Sequence, residues 1–158
     1  MSDEVGLRRA KPADVDFLLE LMTHEDVDPY MAVVRPRDRE AILAEIERSE
    51  VEPEDYGRFV IEVDGRPAGQ MGFEVANRRS RIANLGSLEV HPDFRGKRLA
   101  DRAARLFQRH LLFELGYHRL QLEIYGFNER AQRHADRAGF VREGVRRKAY
   151  DRHGEWVD

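Results

Sequence analysis

The sequence predicts an α+β (mixed α/β) domain in which a central mixed, largely antiparallel sheet is flanked by helices. Three observations lead there. Helical periodicity comes first, strand-like segments joined by tight turns follow, and the second half alternates strand, helix, strand, helix, strand.

Each element has a local reason. Val5 to Arg9 forms a first strand, and Pro12-Ala13-Asp14 opens a helix with Val15, Leu18, Leu19 and Met22 on one face. His24 to Arg37 reads as loop. A second helix is expected from Asp38 to Arg48 with Ile42, Leu43 and Ile46 inward, ahead of an acidic loop from Glu50 to Asp55. Phe59 to Val63 and Pro67 to Val75 pair as a hairpin, because Asp64-Gly65 supplies the positive φ angles a tight turn needs. Ile82 to Val90 is the fourth strand, Leu99 to Leu115 a long helix closed by Gly116, and Leu120 to Ile124 the fifth strand. Asn128 caps a helix running to Ala138, and Phe140 to Arg147 is expected as a sixth strand.

Composition fits one enzyme-sized domain, 1–158, since 158 residues can bury one substantial core. With 41% hydrophobic residues the chain is not of a disordered class, and 27 bases against 30 acids give no overall drive toward nucleic acid or an anionic membrane. Lysine occurs only as Lys11, Lys97 and Lys148, so 24 of the 27 bases are arginine, a bias ascribed to genome composition. No cysteine is present, which removes thiol nucleophiles and Cys-type metal sites. With no signal-like apolar region and no run of about 18 apolar residues, a cytoplasmic location is expected, with neither metal nor membrane nor nucleic acid as partner.

The most informative stretch is His91-Pro-Asp-Phe-Arg-Gly-Lys-Arg-Leu-Ala100, where an apolar run gives way to a helical pattern. It reads as strand, tight loop and helix N-terminus, with Gly96, Arg95, Lys97 and Arg98 in the loop. Free backbone N–H groups and the positive dipole end suit a phosphate there. Neither a Walker-type nor a Gly-x-Gly-x-x-Gly pattern occurs.

Arg95-Gly96-Lys97-Arg98-Leu99-Ala100 resembles the acyl-CoA pyrophosphate loop of the GNAT N-acetyltransferase superfamily, with Arg98 standing where glycine is usual. A second block follows in Asn128-Glu-Arg-Ala131, Ala138-Gly-Phe140 and Glu143-Gly-Val145. From about Leu7 to Asp158 the chain is similar to the ribosomal-protein (alanine) and spermidine acetyltransferase branch.

That resemblance implies a fold whose fourth and fifth strands splay apart, with the pantetheine arm of acetyl-CoA on the exposed backbone of Leu88, Glu89 and Val90. It implies Leu88 N–H as the group polarising the acyl carbonyl, and Arg95, Gly96, Lys97, Arg98, Leu99, Ala100 and Asn128 as further acetyl-CoA-binding residues. The reaction implied is direct attack by a primary amine of a protein N-terminus, polyamine or small molecule. Such an amine must first lose a proton. Where some members keep a glutamate base this chain has Asn84, and Glu123 matches the base of ribosomal-protein alanine acetyltransferases. The bland reading of Glu123 is a strand carboxylate paired with an arginine. The family's usual tyrosine acid falls at Ala135, leaving Tyr125, a water or direct thiolate release, and Ala131 also departs from the pattern.

Other residues invite structural readings. His91 is expected as a turn residue without a local carboxylate partner, and His134 as a solvated side chain. Arg98, Arg102, Arg105 and Arg109 form a helical stripe. Its far end lies about 16 Å along the axis from Arg98, so Arg105 and Arg109 read as a solvated face. Glu25, Asp26 and Asp28 either attract a cationic amine or form an exposed acidic loop. The chain ends four residues after Gly154, where the family continues a seventh strand between five and six. Open edges there suggest truncation or a homodimer contact. The competing readings are an acetyl-CoA-dependent N-acetyltransferase, a non-catalytic acyl-CoA sensor and, least favoured, a nucleic-acid-binding domain.

Overall fold

The computed structural model describes residues 4–27, 29 and 38–158. Strands β1 (Val5–Arg9), β2 (Tyr56–Val63), β3 (Arg66–Asn77), β4 (Ile82–Val90) and β5 (Arg119–Gln121) form one sheet in the order β1-β2-β3-β4-β5. The first three pairings are antiparallel and β4 with β5 is parallel, as the sequence predicts. Helices α1 (Val15–Thr23) and α2 (Arg39–Val51) precede the meander, α3 (Leu99–Arg109) ends in a π-helical turn over His110–Glu114, and α4 (Glu129–Arg137) follows β5.

The alternation along β2 decides where the helices go. Phe59, Ile61 and Val63 pack with Met71, Phe73, Ala103, Phe107 and Leu111 under α3, whereas Val60 packs with Leu18, Met22, Ile42 and Ile46 under α1 and α2. The sheet therefore lies between two helical layers. Asp64 and Gly65 take φ 50° and 79°, the two positive angles of a hairpin turn whose twist suits the flanking strands. Asp38 caps α2 by accepting from the Ala41 amide at 2.8 Å. That helix runs to Val51, past the expected end at Arg48, and stops two residues short of Pro53, beyond which helix is disfavoured.

Two expectations are corrected. The fifth strand covers Arg119–Gln121 and not Leu120 to Ile124, since no ladder bond continues past Gln121. Phe140 to Arg147 is not a strand. It runs beside β5, with Arg119 paired to Glu143 and Arg146 to Glu123, but a ladder there requires a neighbour between it and β5 that the described residues do not form. Instead β6 (Tyr150–Arg152) and β7 (Glu155–Val157) make a separate hairpin, and the Gly126 amide donates to the Asp158 carbonyl at 3.0 Å.

One buried polar chain crosses the inner layers. Arg58, fully buried in the middle of β2, pairs with Glu45 of α2 and donates to Gln70 Oε1 at 3.0 Å, and Gln70 donates onward to Glu89 Oε2 of β4 at 2.8 Å. Removing one partner would strand a charge in a low-dielectric layer. Glu45→Ala should destabilise by about 3 kcal/mol, read as a lower urea midpoint at unchanged m, whereas the double variant with Arg58→Met should recover most of it.

Asp14 is a second anchor, accepting from the Arg8 guanidinium at 2.7 and 2.8 Å and from the Lys11 amide at 2.7 Å. Burial pushes its carboxyl up, but the bonds from Arg8 and Lys11 outweigh that and hold it below the usual 3.8. A depressed folded value stabilises above the unfolded pKa and is lost as pH falls through the folded one. Stability should drop below about pH 4, and Asp14→Asn should flatten that acid limb in thermal melts recorded against pH.

Candidate acyl-donor and amine site

Strands β4 and β5 pair only through Ile82 with Arg119, Ala83 with Leu120 and Asn84 with Gln121. The Gln121 side-chain amide closes the ladder by donating to Asn84 Oδ1 at 2.7 Å. Beyond that point Leu85–Val90 stays paired to β3 on one side and to no strand of the described residues on the other. An open strand edge of this kind offers N–H and C=O groups to an extended polar chain. The expected backbone positions Leu88, Glu89 and Val90 all lie on it.

The β3–β4 register also slips here. Gly72 opposes Gly86 but Gln70 opposes Glu89, so β4 carries one extra residue around Ser87 and Leu88. Such a bulge drops a peptide unit out of the ladder and re-aims it. The half-buried Leu88 packs against the core under α3, and Gly69 lies so close that a Cβ there would sit 2.4 Å from the Glu89 carbonyl oxygen. Only glycine lets β3 follow the bulged strand at that point.

From Val90 the chain turns through His91 and a 3-10 turn over Pro92–Phe94 into the basic loop. Gly96 has φ +94° with open space around it, so backbone conformation and not crowding excludes a side chain. Arg98, where the family pattern has glycine, is the N-cap of α3 with φ 53° and ψ 31° and makes no side-chain capping bond. Left-handed backbone costs a non-glycine residue about 1 kcal/mol or more. The first-turn amides of α3 are thus left for a ligand such as a pyrophosphate. Arg95 turns instead to the Asp26 carbonyl at 3.2 Å, tying the loop to the segment after α1.

Asp101, an acid in that same first turn, would repel a phosphate. It accepts from His134 at 2.7 Å and from Arg137 at 3.2 Å, both on α4. Burial raises its carboxyl, yet these partners hold it below the ordinary value. His134 is therefore a bridge between α3 and α4, not the solvated residue expected. Its partner is 33 positions away in sequence.

His91 is the turn residue expected, capping Pro92–Phe94, and it has a partner that sequence reasoning did not find. It is buried, its Nδ1 accepts from the Asp93 amide at 3.2 Å, and Nε2 faces Glu20 Oε1 at 3.1 Å, so a carboxylate partner 71 positions distant exists. With Nδ1 accepting, the proton sits on Nε2 and is donated to Glu20. Nothing near His91 in sequence announces that contact.

Asn128 caps α4, its Oδ1 accepting from the Ala131 amide at 3.2 Å. Glu123 lies in the extended segment after β5, about half exposed, where it accepts from the Tyr150 hydroxyl and from Arg146 Nε at 2.8 Å. Sequence reasoning assigned neither Tyr150 nor Arg146 to this cluster, because their partner lies 27 and 23 positions away. Tyr125 is buried and stacks on Phe127 at 5.2 Å. Of the acids after α1, Glu25 and Asp26 are described and Asp28 lies outside the described residues. No group of three or more ligating side chains among the described residues could hold a metal, and none of their helices is long and apolar enough to cross a membrane.

A parallel strand pair that opens beside a bulge, with a glycine turn feeding a bare helix N-terminus, is the arrangement that the resemblance implies for an acyl donor carrying a pyrophosphate. An acetyltransferase (GNAT) domain matches residues 4–141, and the chain belongs to that family as an acetyl-CoA-dependent N-acetyltransferase. Spermidine N(1)-acetyltransferase of Escherichia coli (strain K12) is 28% identical over 146 residues, spanning 89% of this chain and 74% of that protein. The spermidine N-acetyltransferase from Vibrio cholerae in complex with CoA and spermine superposes with TM-score 0.82 at 21% identity, covering 98% of this chain and 90% of that one. A chimera built on the Vibrio cholerae enzyme gives TM-score 0.84 at 19% identity over 97% and 90% of the two chains. Both likenesses speak for the fold.

Arg98→Gly should raise the melting temperature by about 2–4 °C, the equivalent of roughly 1 kcal/mol of relieved strain, and leave acetyl-CoA binding in place. Gly96→Val should lower both. Thermal melts and calorimetric titration with acetyl-CoA check the pair, and unchanged affinity in Gly96→Val would remove the loop from the binding site.

Proposed function

We propose that the chain acetylates a primary amine of a polyamine of the spermidine type, in a ternary complex and in the cytoplasm. The observation that carries this reading is the opening of the sheet after Asn84 and Gln121, with Glu123 on one arm and the bulged Leu88–Val90 edge on the other. The substrate class rests on the curated relative that aligns with 89% of the chain at 28% identity. The acids Glu25, Asp26 and Glu123 suit a cationic acceptor.

In this reading the backbone of Leu88, Glu89 and Val90, the loop from Arg95 to Ala100 and Asn128 hold acetyl-CoA. Asn128 spends its carbonyl oxygen on the α4 cap, which leaves its NH2 group as a donor toward the pantetheine. The thioester supplies an activated acetyl group and a thiol acidic enough to leave without a strong acid. The Leu88 amide donates to the developing oxyanion. Glu123 takes the ammonium proton.

For that step the amine must displace Arg146, whose side chain is 73% exposed, so their ion pair is of the weak surface kind. An incoming ammonium makes the same charge pair. Tyr150 stays on the other carboxylate oxygen and fixes its aim.

Glu123→Gln keeps the shape and the Tyr150 contact but cannot accept the proton. Its turnover of spermidine at neutral pH should fall by about 100- to 10,000-fold with acetyl-CoA affinity nearly intact, and the deficit should shrink as pH rises and free amine accumulates. Thiol release against pH measures it. A variant within twofold of the parent throughout would transfer the role to a water held at Asn84.

A further inference from the structure

Beside Glu123 the structure holds a second place for a cation. Tyr125 and Phe127 stack with centroids 5.2 Å apart and planes 19° apart, and Tyr150 meets Tyr125 edge-on at 5.8 Å. The Arg152 guanidinium lies over both rings, 4.5 Å from the Phe127 centroid and 5.4 Å from that of Tyr125. No ion pair to a carboxylate forms at Arg152 among the described residues, and Glu155 is its cross-strand neighbour in the hairpin.

Phe127, 45% exposed, lines a surface depression together with Arg152, His153, Glu155 and Val157, and Tyr125 is buried behind it. Aromatic faces bind ammonium and guanidinium groups by the same attraction of positive charge to the ring quadrupole. Two arginines from one short stretch, Arg146 and Arg152, thus stand on the two features of this surface that favour a cation, the Glu123 carboxylate and the Tyr125–Phe127 rings. Tyr150 touches both features and joins them.

We infer that the Tyr125–Phe127 face is a subsite for the second ammonium of a diamine or polyamine, and that Arg152 competes for it. The inference rests on the proposed function in taking Glu123 as the point where the reacting amine sits. A monoamine engages only Glu123. A diamine engages both places and must displace Arg152 to do so, which makes the rings a determinant of acceptor choice and Arg152 a brake on it.

The test compares 1,4-diaminobutane with butylamine as acceptors for the parent, Arg152→Gln, Arg152→Lys and Phe127→Leu. At an exposed site a cation on a ring is worth roughly a two- to fivefold change in affinity. Arg152→Gln should lower the KM for the diamine by about that factor and leave the butylamine and acetyl-CoA values unmoved, Arg152→Lys should behave as the parent, and Phe127→Leu should raise the KM for the diamine alone. Equal changes for both amines, or none, would overturn the subsite. Calorimetric binding of 1,4-diaminobutane separates this from the reaction itself. If no amine is acetylated but Arg152→Gln still tightens diamine binding and Phe127→Leu weakens it, the subsite stands and the proposed function falls. If the parent acetylates both amines and the variants match it, the function stands and the subsite falls.

Discussion

A difference in strand length organises this molecule. Strand β4 has nine residues and its parallel neighbour β5 has three, so two-thirds of β4 presents a backbone edge that the sheet does not use. What holds β5 away is side-chain chemistry further along the chain. Glu123 is drawn to Arg146 and Tyr150, Tyr125 is buried on Phe127, and Gly126 bonds to Asp158. The segment after Gln121 is thereby committed to the C-terminal hairpin. The bulge in β4 and the bare start of α3 then sit at successive points along one strand and its exit turn.

Local chemistry was legible in the sequence wherever the cause was local. The Asp64-Gly65 hairpin, the Asn128 cap, the Gly116 terminus and the basic loop each depend on residues within a few positions of one another, and each stands where the sequence puts it. Errors cluster where a partner is remote. His91 finds Glu20 and His134 finds Asp101 only because α1 and α4 fold back onto the exit of β4 and the start of α3. Phe140 to Arg147 has a strand-like pattern, yet a strand is a property of a pair, and no pattern in one segment states whether its neighbour arrives. The opening of the site was legible through family resemblance alone, since no periodicity within β5 marks Gln121 as its last paired residue.

The arginine bias, ascribed at first to genome composition, has structural uses. Arg9 donates to the carbonyls of Ser49, Pro53 and Tyr56 and lies over the Phe59 ring, clamping the end of α2 to the start of β2. Burial lowers the pKa of its guanidinium, which serves here as a fork of donors. Arg58 does similar work in the interior, where a lysine would supply one charge point without the planar fork that reaches Glu45 and Gln70 together. Glycine gives way to arginine at position 98 as well, at the cost of backbone strain.

The chain of contacts from Glu45 through Arg58 and Gln70 to Glu89 also has a kinetic meaning. Its members come from α2, β2, β3 and β4, so it is complete only after the meander has formed and α2 has docked across it. Interactions that assemble after the rate-limiting step leave the folding rate unchanged and resist escape from the native state. A contact chain of that kind would act as a latch on unfolding, and because its last link is Glu89, the open edge of β4 is tied through it to α2.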